Sequence, residues 1–489
     1  MDKVTQEVVP ILILIVVIAF VVSRLPKIDL GHSKEFKRRR ILNWVPLGLT
    51  YAFLYMGRYN LNALKDQNLI SGQDFGDIDF VGAMVYGLAF LVNGPLCDRL
   101  GGRFTMLVAA VGAAIANLAI GLLYWHDHAV PSVMVLIVLN AINMYFQSFG
   151  AVSIVKVNAS WFHLRERGTF GGIFGILISL GLYLAYDWAP KLAELTHWHP
   201  TLFVAPALLI GLTWIACFFW VRDTPADAGL GNFDVADASS GDDGPPERAR
   251  AVIWRMLNNR VIMTIALISA CSGFLRQGIL KWFRTFAGGV GLNNANSFVY
   301  AHWGMVSCAA GILGGVFAGV LSDHLFKSRR PPVAVLLYGL LLLGAIAIIP
   351  ALAYPIVVSG IIAFMAMAVI GVHGMLSGVA SQDFGGRRNA GTATGLIDGF
   401  VYLGTALQAI LYGHILPESK IIVGGVSVSN PEAANISNWY AWPIAMVVMA
   451  VIGIILSLTV INAQVTPRKL VGAISPEAGL PKAIVHDKV

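Results

Sequence analysis

Two arginines sit where an arginine is costly. Arg58 lies in Leu54-Tyr55-Met56-Gly57-Arg58-Tyr59-Asn60, inside an apolar run from Ile41 to Leu64 that is long enough to cross a bilayer. A guanidinium near the middle of such a helix costs about 2.5–3.5 kcal/mol on insertion scales, and no carboxylate stands within one helical turn of it. Arg276 repeats the arrangement in Cys271-Ser272-Gly273-Phe274-Leu275-Arg276-Gln277. The planar fork of arginine donates two parallel hydrogen bonds to phosphate oxygens and stays charged at physiological pH. One such fork in each half of the chain suits a polyvalent anion, most simply a phosphate. Two like charges facing an empty site repel, which favours a bound anion during reorientation and gives a physical basis for obligatory exchange. Tyr55, Tyr59 and Tyr86 stand at depths from which a hydroxyl can reach that anion. Lys281 is about 140° round the helix from Arg276, so it serves either the substrate or a partner on another helix. Asp398, in Gly395-Leu396-Ile397-Asp398-Gly399, is an acid within an apolar run of the second half. Three roles are open to it: pairing with Arg276 or Lys281, taking up a proton, or reading a substrate hydroxyl or amine.

The elements that must hold these groups are apolar helices. Of 489 residues, 57% are hydrophobic and 12% charged, a balance that fits repeated membrane spans and not a soluble core. The net charge of +7 does not point to nucleic acid, because position explains it. Cations gather in short loops at Arg99/Arg103, Arg165/Arg167, Lys327/Arg329/Arg330, Arg387/Arg388 and Arg468/Lys469, while Asp66, Asp74, Asp77 and Asp79 lie in the alternate loops. The positive-inside rule makes the first set cytoplasmic. The expected fold is an all-α integral membrane protein, twelve core spans in two six-helix bundles, with both ends of the core inside. An extra apolar segment from Val8 to Val22 precedes them, followed by the basic Lys34–Arg40. The expected divisions are 1–40 for the extra helix and basic loop, 41–221 and 257–463 for the bundles, 222–256 for a linker rich in Asp, Gly and Pro, and 464–489 for a cytoplasmic tail. Cys97, Cys217, Cys271 and Cys308 have no paired spacing and read as small apolar residues. Neither a metal nor a cofactor is expected.

The halves carry corresponding markers. Asp98-Arg99-Leu100-Gly101-Gly102-Arg103 follows the second core span and Asp323-His324-Leu325-Phe326-Lys327 follows the eighth, each at a similar offset beyond its arginine. The first of these, with Gly94 and Pro95 ahead of it, resembles the loop signature of the major facilitator superfamily. More narrowly, the chain resembles the organophosphate:phosphate antiporters, through Tyr55-Met56-Gly57-Arg58-Tyr59-Asn60, Asn143-Met144-Tyr145-Phe146-Gln147, Arg165-Glu166-Arg167-Gly168, Phe274-Leu275-Arg276-Gln277-Gly278 and Ala390-Gly391-Thr392-Ala393-Thr394-Gly395. The resemblance implies an alternating-access antiporter of a phosphorylated sugar, glycerol phosphate or similar anion against inorganic phosphate. It also implies that Arg58 and Arg276 hold the phosphate. Phe90 stands where glycerol-phosphate carriers place a lysine, and Ile178 where they place a histidine. The implied pocket for the organic moiety is therefore this chain's own. Asp98, Arg99 and Arg103 are expected to close the cytoplasmic side through charge pairs and helix-end contacts that break on opening.

No Walker loop, metal-ligand spacing, nucleophile elbow or redox motif appears in the sequence, so no enzyme is expected. The expected partners are the bilayer, a small phosphorylated anion, inorganic phosphate and, at the extra helix, a protein. The working unit is expected to be a monomer in a bacterial inner membrane. Two rival readings stay open: a sugar-phosphate sensor that signals to a partner protein, and a proton-coupled symporter or exporter of another anion that uses Asp398.

Overall fold

A computed structural model describes residues 3–24, 32–163, 167–231, 235, 249–326, 330–376, 389–423 and 426–462. Expectations for Arg165, Lys327, Arg329, Arg387, Arg388, the side chain of Asp323, the middle of the linker and the tail lie outside the described residues. The first half comprises α1 (Lys3–Arg24), α2 (Lys34–Tyr59), α3 (Leu61–Asp66), α4 (Gly72–Leu100), α5 (Gly102–Asp127), α6 (Val133–Trp161), α7 (Arg167–Tyr183), α8 (Ala189–Thr196) and α9 (Thr201–Trp220). A π-helical turn at Leu184–Trp188 joins α7 to α8. The second half comprises α10 (Ala249–Leu257), α11 (Arg260–Gly289), α12 (Phe298–Ala301), α13 (Trp303–Val320), α14 (Arg330–Ala351), α15 (Pro355–His373), α16 (Ala390–Ile415), α17 (Pro431–Ala434) and α18 (Ala441–Thr459).

Among the described residues, ten helices are long and apolar enough to cross a membrane, and the chain is a multi-pass membrane protein. The remaining two expected core spans correspond to α2 and to α7 with its π-helical turn. The basic segment Lys34–Arg40 occupies the start of α2 and lowers its mean hydropathy, although its outer half is buried. A β-hairpin, β1 (Lys420–Val423) with β2 (Val426–Ser429), departs from the all-helical expectation. Its Ile and Val residues flank Gly424-Gly425, and β-branched side chains with a Gly-Gly centre favour a hairpin over a helix.

Local chemistry sets the helix ends. Ser33, Ser71 and Asn259 each accept a backbone N–H from the first turn of the helix they precede, α2, α4 and α11. Between α4 and α5 the chain turns on Gly101 at φ 87°, a left-handed conformation that a Cβ opposes. A Cβ there would also lie 2.6 Å from Asp223 Oδ2. Asp223 accepts from Arg103 N at 2.8 Å. Burial raises its carboxyl above the ordinary carboxylate value, and the backbone hydrogen bonds partly offset that rise.

The two halves meet along small residues. Helices α4 and α16 run antiparallel and touch at both ends and in the middle: Gly76 against Gly413, Gly87 against Gly399, and Gly94 against Gly391. On the opposite flank, α7 packs on α13. The extra helix α1 lies across that second seam, with Leu14 and Val21 buried against Tyr183 of α7 and Met305, Cys308 and Ile312 of α13.

Candidate functional site

Arg58 ends α2 in a fully satisfied cage. Its Nε donates to Gln147 Oε1 at 2.8 Å, Nη1 to the Tyr402 hydroxyl at 2.5 Å and Nη2 to the Tyr86 hydroxyl at 2.9 Å. The rings of Tyr55 and Tyr86 stack under the guanidinium at 4.5 and 4.6 Å. Gln147 is aimed by its other amide atom: Nε2 donates to Asn143 Oδ1, and Asn143 donates in turn to the Gly57 carbonyl. Asn117 and Asn60 extend this relay. A ladder of four amides, from the end of α2 and from α5 and α6, thus fixes which atom of Gln147 meets Arg58.

Arg276 on α11 is as buried as Arg58 (4% and 8% exposed), but its fork is not filled. Among the described residues, its Nε and Nη2 have no hydrogen-bond partner. The tyrosines Tyr59, Tyr55 and Tyr402, drawn from both halves, surround it. His373 on α15 lies near Arg276, and among the described residues its Nδ1 is likewise unpartnered. A buried guanidinium with two idle donors carries a large desolvation cost that an anion would remove. The arrangement is crossed. Tyr402 of the second half bonds to Arg58 of the first, and Tyr55 and Tyr59 of the first wrap Arg276 of the second. Tyr86 stacks on Tyr402 at 3.9 Å, and Phe90 sets its edge on Tyr86 at 4.7 Å. Phe90 therefore supplies an apolar wall to the cage. Gln277 Nε2 donates to the Tyr59 hydroxyl at 2.9 Å, a further bond between the halves.

The remaining candidates are placed elsewhere. The Lys281 ammonium sits 2.6 and 2.7 Å from the two oxygens of Asp79 on α4, so in this conformation it is held by a carboxylate from the other half. Lys65 joins the same cluster through the Lys281 carbonyl and Thr285. Asp66 lies 3.8 Å from Lys65 and 3.6 Å from Arg284. With His414 on Asp77 at 2.9 Å, these pairs knit α3 and α4 to α11 and α16 at the outer face. Asp398 is half-buried and lies near Tyr51, one turn inward of Tyr55. It is not among the strongest electrical neighbours of Arg276.

At the inner face, Asp98 accepts from Gly391 N at 3.0 Å, Thr392 N at 2.8 Å and Thr392 Oγ1 at 2.7 Å. It thereby caps the N-terminus of α16 across the seam, where the helix dipole favours an anion. Lys156 stands 2.9 Å from the same carboxylate. Arg103 works within the first half, donating Nη2 to the Phe218 carbonyl. Arg99 faces outward, in a cleft beside Arg250. Asp98 is thus the one of the three expected gate residues that crosses the seam among the described contacts. Its outer counterpart escaped the sequence reading. Asp187, in the π-helical turn after α7, accepts from Gly304 N and Met305 N, both at 2.8 Å, and caps α13. Each face is therefore closed by an acid of the first half set on a helix N-terminus of the second.

The outer ion pair makes a direct test. Loss of one partner from a buried pair costs about 3–5 kcal/mol, whereas replacing both is far milder. Asp79→Asn is expected to lower thermal stability in detergent, and Asp79→Asn/Lys281→Met to recover most of it. A double variant as unstable as the single one would refute the pairing.

The sequence matches the family model of the Major Facilitator Superfamily over residues 47–409. The Glycerol-3-phosphate transporter of Bacillus subtilis (strain 168) is 26% identical over 421 residues, covering 79% of this chain and 88% of that protein. The Membrane sensor protein UhpC of Salmonella typhimurium is 26% identical over 458 residues, covering 91% and 96%. A probable hexose phosphate transport protein of Chlamydia trachomatis is 22% identical over 454 residues, covering 88% and 93%. With twelve core helices in two bundles and a family match over most of its length, the chain belongs to the Major Facilitator Superfamily.

Proposed function

We propose that this protein is a secondary transporter that exchanges a phosphorylated small organic anion for inorganic phosphate. The bundles at 41–221 and 257–463 rock about a site at Arg58 and Arg276. The observation that carries this reading is the unfilled fork of Arg276, two buried donors of one guanidinium facing a cage of tyrosines. Phosphate oxygens match that fork in charge and spacing. The relatives named for glycerol phosphate and hexose phosphate support the same substrate class. Exchange follows from the burial cost, because an empty return would pass through the occluded state with Arg276 buried and no anion on its fork. No covalent step is asked of the chain.

The test is phosphate counterflow in liposomes: unlabelled phosphate inside, labelled phosphate outside, and no ion gradient. Uptake is expected, and it should be competed by sugar or glycerol phosphates. Uptake that requires an imposed proton gradient would replace exchange by proton coupling, with Asp398→Asn as the variant that abolishes it.

A second reading, a sensor, is favoured by one pair of observations. The sensor relative aligns over 91% of this chain, and α1 lies across the α7–α13 seam with Ile15, Val16 and Phe20 turned outward. That face could dock a partner protein that reads the state of the seam. Saturable binding of a sugar phosphate with no counterflow, in folded protein, would establish the sensor and end the carrier reading.

A further inference from the structure

Arg99 and Arg250 lie far from the clamp, and the cytoplasmic cleft they share gives them a different ligand. The cleft has a volume of about 360 Å³ and runs between the inner end of α4 and the linker helix α10. Leu91 and Val92 of α4 and Ile253 and Trp254 of α10 line it, together with Arg99 and Arg250. Among the described residues, no carboxylate lines it. No side-chain hydrogen bond or ion pair engages either guanidinium among the described residues.

We propose that this cleft binds an anionic phospholipid, its headgroup phosphate on Arg99 and Arg250 and an acyl chain along Leu91 and Val92. Three observations select that occupant. The apolar wall is continuous with the bilayer-facing side of α4, where Leu88, Leu91 and Val92 are all exposed. The two cations lie at the cytoplasmic end of that span, the level of lipid phosphates on the leaflet that attracts basic residues. Trp254 is 69% exposed beside them, as an interfacial tryptophan is.

The site also has a mechanical position. Val252 and Met256 hold α10 on Ile262, Ala393 and Leu396 of α11 and α16, so α10 belongs to the second half, whereas Arg99 belongs to the first. One lipid therefore bridges the seam next to Asp98. It binds the conformation with the inner face closed and shifts the population towards it.

The test is native mass spectrometry of the full-length protein with equal phosphatidylglycerol and phosphatidylcholine. The wild type is expected to retain phosphatidylglycerol preferentially. Arg99→Gln/Arg250→Gln should reduce that preference about ten- to thirtyfold, given the usual strength of basic residues at an anionic surface. Ile253→Trp keeps both charges but fills the cleft, and it should also lose the lipid. Equal retention by wild type and the arginine variant would overturn the site. Unchanged retention by Ile253→Trp would reduce it to diffuse surface charge and overturn the acyl-chain assignment. Displacement of the lipid by inorganic phosphate or water-soluble glycerophosphoglycerol would make it a site for a free phosphate group, which equally refutes the proposal.

Discussion

Arg276→Lys is expected to lower phosphate counterflow about 100-fold, and Arg276→Ala to bring it to background, in protein that remains folded. A charge-assisted hydrogen bond contributes roughly 1.5–3 kcal/mol, so a bidentate fork on phosphate accounts for about two to four powers of ten. Lysine keeps the charge but offers a single ammonium without the fork, and recovers part of the binding and little of the geometry. The folded-state prediction is specific to this arginine. Nε and Nη2 of Arg276 bond to nothing among the described residues, so the native structure loses little when they go. Arg58 is the reverse case, since Gln147, Tyr86 and Tyr402 occupy all three of its nitrogens. Arg58→Lys should therefore lower the melting temperature as well as exchange. Thermal unfolding of the two lysine variants, measured beside counterflow, separates the roles. If Arg276→Lys destabilises the protein as much as Arg58→Lys does, Arg276 has a structural partner and the substrate assignment is wrong. Near-normal counterflow in the Arg276→Lys variant would remove the clamp altogether.

How much of this was legible beforehand depends on whether a feature is local. A charge inside an apolar run announces itself, so both arginines, the number of spans and the division into halves could be read from the chain. The helical angle between Arg276 and Lys281 separated them, and the structure gives Lys281 to Asp79. Rotation and inter-helix distance were not legible. Tyr402 is 344 positions from Arg58 and bonds to it, and nothing in its neighbourhood distinguishes it from a packing tyrosine. Gln147 did leave a signal: it stands one turn from Asn143, with Asn140 before them, in a membrane-spanning helix, a costly placement that calls for partners. Asp98 stood out in its loop, but two of its partners are backbone N–H groups of α16, which no side-chain pattern encodes. Asp187 was hidden for the same reason. Both acids act on helix ends, so each could be identified only once the opposing helix was in place.

Gly94→Val is expected to reduce exchange by about three powers of ten while sparing anion binding, because it holds the inner face open. A Cβ at Gly94 would lie 2.6 Å from the Gly391 carbonyl oxygen and 3.1 Å from Thr392 Cα. Both obstacles are backbone, so no rotamer change relieves them and α4 must withdraw from α16. Withdrawal also releases Asp98 from Gly391 N, Thr392 N and Thr392 Oγ1. Overpacking costs about 1–3 kcal/mol, and the lost charge-assisted bonds add roughly 1.5–3 kcal/mol each before water replaces them. A net penalty of about 4 kcal/mol on the closed-inside state shifts the population by close to three powers of ten. Arg58 and Arg276 lie deeper in the membrane than Gly94, so an anion entering from the cytoplasm still meets both. The variant should then bind labelled phosphate in detergent and fail to exchange it across a liposome. Gly339→Val is the control, because a Cβ at Gly339 meets nothing within 4 Å. Cysteine labelling from the cytoplasmic side reads the conformation itself, with labelling in the cleft between α4 and α16 rising in Gly94→Val and staying at the wild-type level in Gly339→Val. Wild-type exchange in Gly94→Val would mean that the close approach of α4 and α16 is not part of the transport cycle, and the inner gate would have to be sought elsewhere.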